Sequence, residues 1–220
     1  MDLRQLHEVG YIGAHERLAT PGELFTALLK LSSLVKQGVT PLRLFAGHRL
    51  MRQSEAFQYR PQARHETLER YINDVTVRIG PFGIIANYVQ ELSEEIGARI
   101  DTFLKSLNIT SGAVQADAFV GSYRHGFFGL HKDEFGVFTF PVSGSKYYLS
   151  WPFETFAHLP NAKRDECWNS EVPVPYEHVR DDARVMTPGL GEYAYWPASR
   201  WHAVEASETA HASLSIGVRL

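Results

Sequence analysis

The feature that most constrains the fold is the run of short apolar segments separated by glycine and proline turns in residues 111–219. Segments of this kind are typical of short β-strands. Many short antiparallel strands with Gly and Pro turns predict a sandwich or a jelly roll. The predicted strands cover residues 114–122, 136–142, 146–151, 184–186, 193–196, 203–205 and 212–219, and a turn at 143–145 is expected to join the second and third as a hairpin.

Residues 1–110 are expected to be mostly helical, with short strands between the helices. Thr20 as N-cap, Pro21 in the first turn and Glu23 in a capping box mark the start of a helix, which Gly38 is expected to end. The other predicted elements are a strand over residues 40–45, a loop over 53–64, a strand ending at Gly80 and formed by the alternating Val75, Val77 and Ile79, and an amphipathic helix over 87–107.

Composition bounds the class of protein. The chain of 220 residues shows no evident linker, so we expect one domain, 1–220, in which residues 1–110 pack on a 111–220 core. The fold class is mainly β, with a helical N-terminal region on a double-stranded β-helix (jelly-roll or cupin-like) core. A net charge of −3 and the lack of a signal peptide or a membrane-length apolar run predict neither a nucleic-acid nor a membrane partner. The single cysteine, Cys167, excludes an internal disulfide and indicates a reducing, cytoplasmic location.

Metal-ligand chemistry is expected at His131 and Asp133. Side chains alternate along an extended strand, so residues two apart project from the same side. With one more histidine, for which His202 is the candidate, they would complete the two-His, one-carboxylate face that holds non-haem Fe(II). Each residue also has a structural interpretation. His131 and Asp133 would suit a polar surface turn, and His202 a core histidine beside Trp201.

Five motifs in residues 114–219 follow one another in an order that is typical of one enzyme family. They are Gly129-Leu130-His131-Lys132-Asp133, Gly144-Ser145-Lys146, Gly191-Glu192-Tyr193-Ala194-Tyr195-Trp196-Pro197, Trp201-His202 and Ser213-Leu214-Ser215-Ile216-Gly217-Val218-Arg219. Through these motifs the chain resembles the catalytic core of the JmjC-type 2-oxoglutarate oxygenases of the cupin superfamily. The resemblance is strongest to the bacterial protein hydroxylases related to ribosomal oxygenases.

The resemblance implies a role for each motif. His131, Asp133 and His202 would hold Fe(II), and Lys146, fifteen residues after the first histidine, would bind the distal carboxylate of 2-oxoglutarate. A lysine at an inward strand position neutralises such a carboxylate as a point charge. Arg219 is the alternative anchor, because some enzymes of this kind use an arginine on a late strand. Further candidates for hydrogen bonds to the cosubstrate are Tyr123, Ser213 and Ser215, the last two on one face of their strand.

The implied activity is that of an Fe(II)- and 2-oxoglutarate-dependent oxygenase. With O₂, it would hydroxylate an amino-acid side chain of a peptide or protein, or a small molecule. Two alternatives stay open: a non-catalytic cupin-like module that binds a metal or ligand, and a metal-dependent cupin enzyme that does not use 2-oxoglutarate. Lys146 argues against the second, because a buried lysine without a carboxylate to hold is costly. The loop over residues 152–183, with Trp168 and Tyr176, is the candidate for substrate contact, and a homodimer is left open.

Overall fold

Two antiparallel sheets form the centre of the computed structural model, which describes residues 10–32, 41–47, 49–109, 114–159, 175–207 and 210–219. They confirm the expected jelly-roll core. The strands within these residues are β1 Tyr11–Ala14, β2 Leu42–Ala46, β3 Arg49–Leu50, β4 Phe82–Ala86, β5 Val114–Gly121, β6 Gly136–Ser143, β7 Lys146–Trp151, β8 Arg184–Met186, β9 Glu192–Trp196, β10 Trp201–Ala206 and β11 His211–Val218.

The larger sheet combines strands from both parts of the sequence. Its order is β1-β9-β6-β11-β5-β4-β2-β3, so β1 lies at one edge and β4, β2 and β3 extend the other. The smaller sheet has the order β10-β7-β8. Alternation along β11 gives the larger sheet two different faces. Leu214 and Ile216 lie in the main hydrophobic cluster with the helices, whereas Ser213 and Ser215 line a cavity between the sheets.

The helices cover the outer face of the larger sheet. They are α1 Pro21–Leu28, α2 Gln53–Ala56, α3 Leu68–Ile79 and α4 Glu94–Ser106. The predicted capping box is confirmed, because the Glu23 amide donates to Thr20 Oγ1 (3.2 Å) and the Thr20 amide donates to Glu23 Oε2 (2.8 Å). The helix ends at Leu28, well before the expected end at Gly38, which itself lies outside the described residues. None of the helices in the described part of the protein is long and apolar enough to cross a membrane.

Two boundaries in the first half differ from the prediction. The expected loop over residues 53–64 contains α2 and short 3-10 turns. The helix expected from residue 87 begins at Glu94, because the Ser93 hydroxyl accepts the Ile96 amide as its N-cap. The apolar residues immediately before this segment form β4, which the sequence analysis did not identify.

The strand predicted from Val75, Val77 and Ile79 is wrong, because these residues belong to α3. The Thr67 hydroxyl accepts the Arg70 amide at the start of the helix. The three alternating residues follow the two-residue period of a strand over only five sequence positions. The buried residues of the helix follow the helical period over eight positions. That face comprises Leu68, Tyr71, Ile72 and Val75, while Val77 is 88% exposed.

The predicted hairpin between the second and third strands is also wrong. β6 pairs with β9 and β11, whereas β7 pairs with β8 and β10, so the turn leads the backbone from one sheet to the other. Gly144 makes this turn at φ +66°, and a Cβ there would lie 2.6 Å from the Ala210 carbonyl oxygen. A glycine is therefore required. Lys146 follows directly, and it begins a strand of the smaller sheet.

The helical assignment of α3 can be tested with two matched substitutions. Val75→Ala removes two methyl groups from a fully buried position and should lower the free energy of unfolding by roughly 2 kcal/mol. Val77→Ala should change it by less than about 0.5 kcal/mol, because that side chain is exposed. Urea denaturation of both variants measures the difference. Equal losses would indicate that the two valines share a buried face, as they would on a strand.

Candidate metal centre

The centre of the site is a direct backbone link between His131 and His202. The His131 amide donates to the His202 carbonyl oxygen (3.0 Å), and the His202 amide donates to the His131 carbonyl oxygen (2.9 Å). This isolated antiparallel bridge joins the segment between β5 and β6 to the beginning of strand β10. Both side chains are buried, and their ring centroids lie 4.0 Å apart.

Asp133 completes a group of three ligand atoms. Its carboxylate oxygens lie 3.9 Å from His131 Nε2 and 3.3 Å from His202 Nε2. All three ligand atoms are within 4.8 Å of one another. The Ser199 amide donates to the Asp133 carbonyl oxygen (2.8 Å), which fixes the backbone of this ligand as well. Two imidazoles and one carboxylate suit a divalent transition metal, so the structure brings together the three residues that the sequence analysis selected.

Each imidazole presents the same ring nitrogen to the centre. His131 Nδ1 lies 3.0 Å from the Gly129 carbonyl oxygen, and His202 Nδ1 lies 3.0 Å from the Arg200 carbonyl oxygen. A carbonyl can only accept, so Nδ1 carries a proton in both rings, and in the neutral form of either ring the lone pair is on Nε2, which faces the group. Hydrogen bonds of this kind orient metal-ligating histidines in proteins.

Burial sets the protonation states of the centre. Burial, together with the neighbouring His202, lowers the pKa of His131 to about 4, so this imidazole is neutral at pH 7. Burial by itself would raise the pKa of Asp133. The nearby imidazoles of His202 and His131 and the guanidinium of Arg43 outweigh that effect and hold the pKa at about 2. The group therefore offers an ionised carboxylate and a neutral imidazole, the forms that bind metal.

The three residues open into a cavity of about 210 Å³ between the two sheets. Its floor is the inner face of β5 and β11, and β7 and β10 of the smaller sheet form the opposite wall. Much of the lining is aromatic. The Phe128 ring packs on His131, and the Trp196 ring packs on His202. These rings give one side of the centre an apolar cover.

Lys146 lies in the same cavity as the metal group, and it is only 4% exposed. Its Nζ donates to Ser213 Oγ (2.9 Å), Tyr123 Oη (3.0 Å) and the Phe119 carbonyl oxygen (3.4 Å). All three acceptors are neutral, and no Asp or Glu among the described residues pairs with the ammonium. Burial accordingly lowers the pKa of Lys146 to about 7. Tyr123 and Ser213, selected from the sequence, thus surround the selected lysine.

Arg219, the alternative anchor, is not brought to the cavity. Its guanidinium pairs with Glu134 and lies over the Phe135 ring, and its side chain is 57% exposed. An arginine that already has a carboxylate partner at the surface is a poor anchor for a buried cosubstrate. Ser215 does line the cavity, where its hydroxyl donates to Thr139 Oγ1 (3.0 Å).

The expected substrate loop is described only in part. Trp168 and Cys167 lie outside the described residues. Tyr176 is buried among Trp151, Phe156 and Trp201 in a separate hydrophobic cluster, and its hydroxyl donates to Glu205 Oε1 (3.3 Å). Its side chain therefore stabilises the smaller sheet and does not line the cavity.

Lys132 points away from the metal group, as strand alternation predicts. It is 1% exposed, and its Nζ lies 5.2 Å from the ring centroids of Phe153 and Trp201. This cation–π packing holds the ligand-bearing segment against the smaller sheet from behind.

The cavity also contains polar residues that sequence reasoning missed. Arg43 on β2, together with Gln115 and Asp117 on β5, lines the wall formed by the larger sheet. Two polar residues in alternate positions of β5 were a signal for a polar inner face. Arg43 gave no such signal, because its position in the cavity depends on β4 lying between β2 and β5.

The comparisons with known proteins are distant. No protein-family model matches the sequence, and no curated protein matches it. Among solved structures, matches include the Escherichia coli ribosomal oxygenase YcfD, at 18% identity and a TM-score of 0.45, covering 63% of this protein and 34% of that one. They also include YcfD with cobalt and 2-oxoglutarate (15% identity, TM-score 0.41, 63% and 32% of the two proteins) and Bacillus subtilis oxalate decarboxylase (10% identity, TM-score 0.34, 63% and 25%).

The protein is similar to a ribosomal oxygenase. The sequence resemblance predicts this likeness, which covers about a third of the length of the oxygenase. At a TM-score below 0.5, it carries no functional weight.

Metal binding can be tested with two histidines that lie six residues apart. Loss of a residue that only hydrogen-bonds to a metal ligand typically weakens metal binding roughly 10- to 100-fold. His131→Ala should weaken binding of Co²⁺ by more than this, because it removes a ligand itself. His125→Ala should leave the affinity unchanged, since His125 is exposed and outside the ligand group. Calorimetric titration of the metal-free protein measures both. Equal affinity in the wild type and His131→Ala would contradict the assignment.

The buried ammonium of Lys146 should make stability depend on pH in the metal-free protein. Between its folded pKa of about 7 and its ordinary value of 10.5, the unfolded state binds one more proton than the folded state. The free energy of unfolding of the wild type should therefore rise with pH relative to Lys146→Met, by up to about 1.4 kcal/mol per pH unit. Urea denaturation at pH 7 to 10 measures the difference. A difference that stays constant would show that Lys146 remains charged when folded.

Proposed function

We propose that this protein is an Fe(II)- and 2-oxoglutarate-dependent oxygenase that uses O₂ to hydroxylate its substrate. The supporting observation is the buried Lys146, which has no carboxylate partner among the described residues and shares a cavity with His131, Asp133 and His202. A metal group alone would suit many cupin proteins. A buried cation without an anion indicates that the natural ligand carries a carboxylate.

The residues around Lys146 suit a carboxylate. Tyr123 Oη and Ser213 Oγ both accept a hydrogen bond from Nζ, so the ammonium lies between two hydroxyl groups. One ammonium and two hydroxyls thus converge on one region of the cavity. We infer that they bind the distal carboxylate of 2-oxoglutarate, whose charge would offset the desolvation of Lys146.

The residues at the other end of the cosubstrate suit Fe(II). The two histidines would hold the ion through Nε2, and Asp133 would hold it through one carboxylate oxygen. Three ligands leave coordination positions of the metal open on the side of the cavity. When bound, Fe(II) supplies the redox chemistry by which 2-oxoglutarate, O₂ and a substrate C–H give succinate, CO₂ and C–OH. The protein orients the cosubstrate through Lys146 and keeps water away with its aromatic lining.

We infer that the substrate is an amino-acid side chain or a small molecule with similar groups. The cavity presents charged and polar side chains, Arg43, Gln115 and Asp117, beyond those assigned to the metal and the cosubstrate. A purely apolar substrate would leave these groups without partners.

Anaerobic titration of 2-oxoglutarate into the Fe(II)-loaded protein tests the function, by the metal-to-ligand charge-transfer band. The wild type should show the band. Lys146→Met should bind 2-oxoglutarate roughly 10- to 100-fold more weakly, because it loses a charged hydrogen bond. Arg219→Met removes a cation at the protein surface and should leave the affinity for 2-oxoglutarate unchanged.

Three other outcomes would contradict the proposal in different ways. Metal binding without the band or 2-oxoglutarate turnover would favour a metal-dependent cupin enzyme of another kind. Loss of the band in Arg219→Met but not in Lys146→Met would show that Arg219, and not Lys146, binds the distal carboxylate of 2-oxoglutarate. Absence of metal binding in the wild type would favour a non-catalytic module.

A further inference from the structure

Two opposite charges share the wall of the cavity that neither the metal nor the cosubstrate uses. Arg43 and Asp117 both line this wall. In the sheet, Arg43 pairs with Ile85, which in turn pairs with Phe119, two residues from Asp117 on the same face of β5. The guanidinium is near enough to lower the pKa of the carboxyl, yet the two groups form no ion pair within 4.0 Å. Each charge therefore remains available for a ligand.

The Arg43 guanidinium keeps free hydrogen-bonding capacity. Its Nε is buried and finds no acceptor among the described residues. One Nη donates to Asn87 Oδ1 over 3.4 Å, which is a long hydrogen bond, and the group lies 5.9 Å from the Phe128 ring centroid. A guanidinium with an unpaired Nε–H at a cavity wall suits a carboxylate, which can accept from two of its N–H groups at once.

The Asp117 carboxylate has only neutral hydrogen-bond donors. It accepts from Gln115 Nε2 (2.8 and 3.0 Å) and from the Tyr88 amide (3.3 Å). Despite these bonds, burial raises the pKa of Asp117 to about 6. An ammonium bound next to it would offset the desolvation that causes this rise.

We propose that Arg43 and Asp117 recognise the two charges of a free amino acid, with its α-carboxylate on Arg43 and its α-ammonium on Asp117. The inference rests on the proposed function and names the substrate class of that same site. A ligand with only one charge would leave the other protein group buried and unpaired, which is unfavourable. A residue inside a polypeptide has neither charge, so a free amino acid fits this wall better than an internal residue of a protein.

The metal group lines the same cavity, and Asp133 is close enough to Arg43 and Asp117 to interact with both electrostatically, so the side chain of an amino acid held at this wall can reach the reacting centre. The reaction is the one proposed above. One C–H bond of the amino-acid side chain becomes C–OH with one oxygen atom of O₂. The other oxygen atom enters succinate as 2-oxoglutarate loses CO₂. Arg43 and Asp117 bind and orient the substrate, and they take no part in bond breaking.

Binding tests this inference without turnover. Each of the twenty standard L-amino acids is titrated by anaerobic calorimetry into the protein loaded with Fe(II) and 2-oxoglutarate. We expect at least one to bind, and its N-acetyl and C-amide derivatives each to bind about 10-fold or more weakly, because each lacks one charge. With O₂, the bound amino acid should gain one oxygen atom, as detected by mass spectrometry.

Matched variants assign each charge to its residue. Arg43→Met should weaken binding of the free amino acid but have little effect on its amide, which has no carboxylate. Asp117→Asn should weaken binding of the free amino acid but have little effect on its N-acetyl derivative. Arg219→Met serves as the control arginine, because it lies outside the cavity. The derivatives on the wild type test the inference even if a variant fails to fold.

The inference is overturned if no free amino acid binds, or if the N-acetylated amide binds as tightly as the free form. In either case a charge-transfer band with 2-oxoglutarate would leave the proposed function intact. Loss of the band as well would mean that both fail.

Discussion

The two backbone hydrogen bonds between His131 and His202 are the constraint on which the site depends. They connect the segment between β5 and β6 of the larger sheet to β10 of the smaller sheet, so the backbone holds the two histidines next to each other. The Ser199 amide fixes Asp133 in a similar way. The ligand atoms are therefore held in position by the fold, and little conformational entropy remains to be lost when a metal binds.

Lys146 shows how the fold supports a group that is unfavourable by itself. A buried ammonium among neutral acceptors destabilises the folded protein, and burial of an apolar side chain there would be more favourable. The opposite face of the larger sheet compensates, since Leu214 and Ile216 pack with the helices in an extensive hydrophobic cluster. One sheet thus separates two requirements, stability on its outer face and ligand chemistry on its inner face.

The sequence predicted those parts of the molecule that depend on local pattern. His131 and Asp133 lie between β5 and β6 in a segment with only isolated bridges, yet their spacing of two residues puts both in the ligand group, as the alternation predicted. Most strands of the jelly roll were bounded by clear turns. The alternation in residues 75–79 was misleading, because a short pattern fits either period. Arg43 and Asp117 were missed because they line one wall from strands on either side of β4, and such non-local pairing is not visible in the spacing of residues.

The hydrogen bonds from Nδ1 of His131 and His202 to backbone carbonyls have a consequence for metal choice. They fix both rings in the metal-binding tautomer whichever ion arrives, so the protein offers the same donor set to every divalent cation. The affinity of such donors increases along the first-row series from Mn²⁺ and Fe²⁺ toward Cu²⁺, with Zn²⁺ also above iron. Selection of iron would then depend on which metals the surroundings supply, and zinc or copper would act as tightly bound inhibitors.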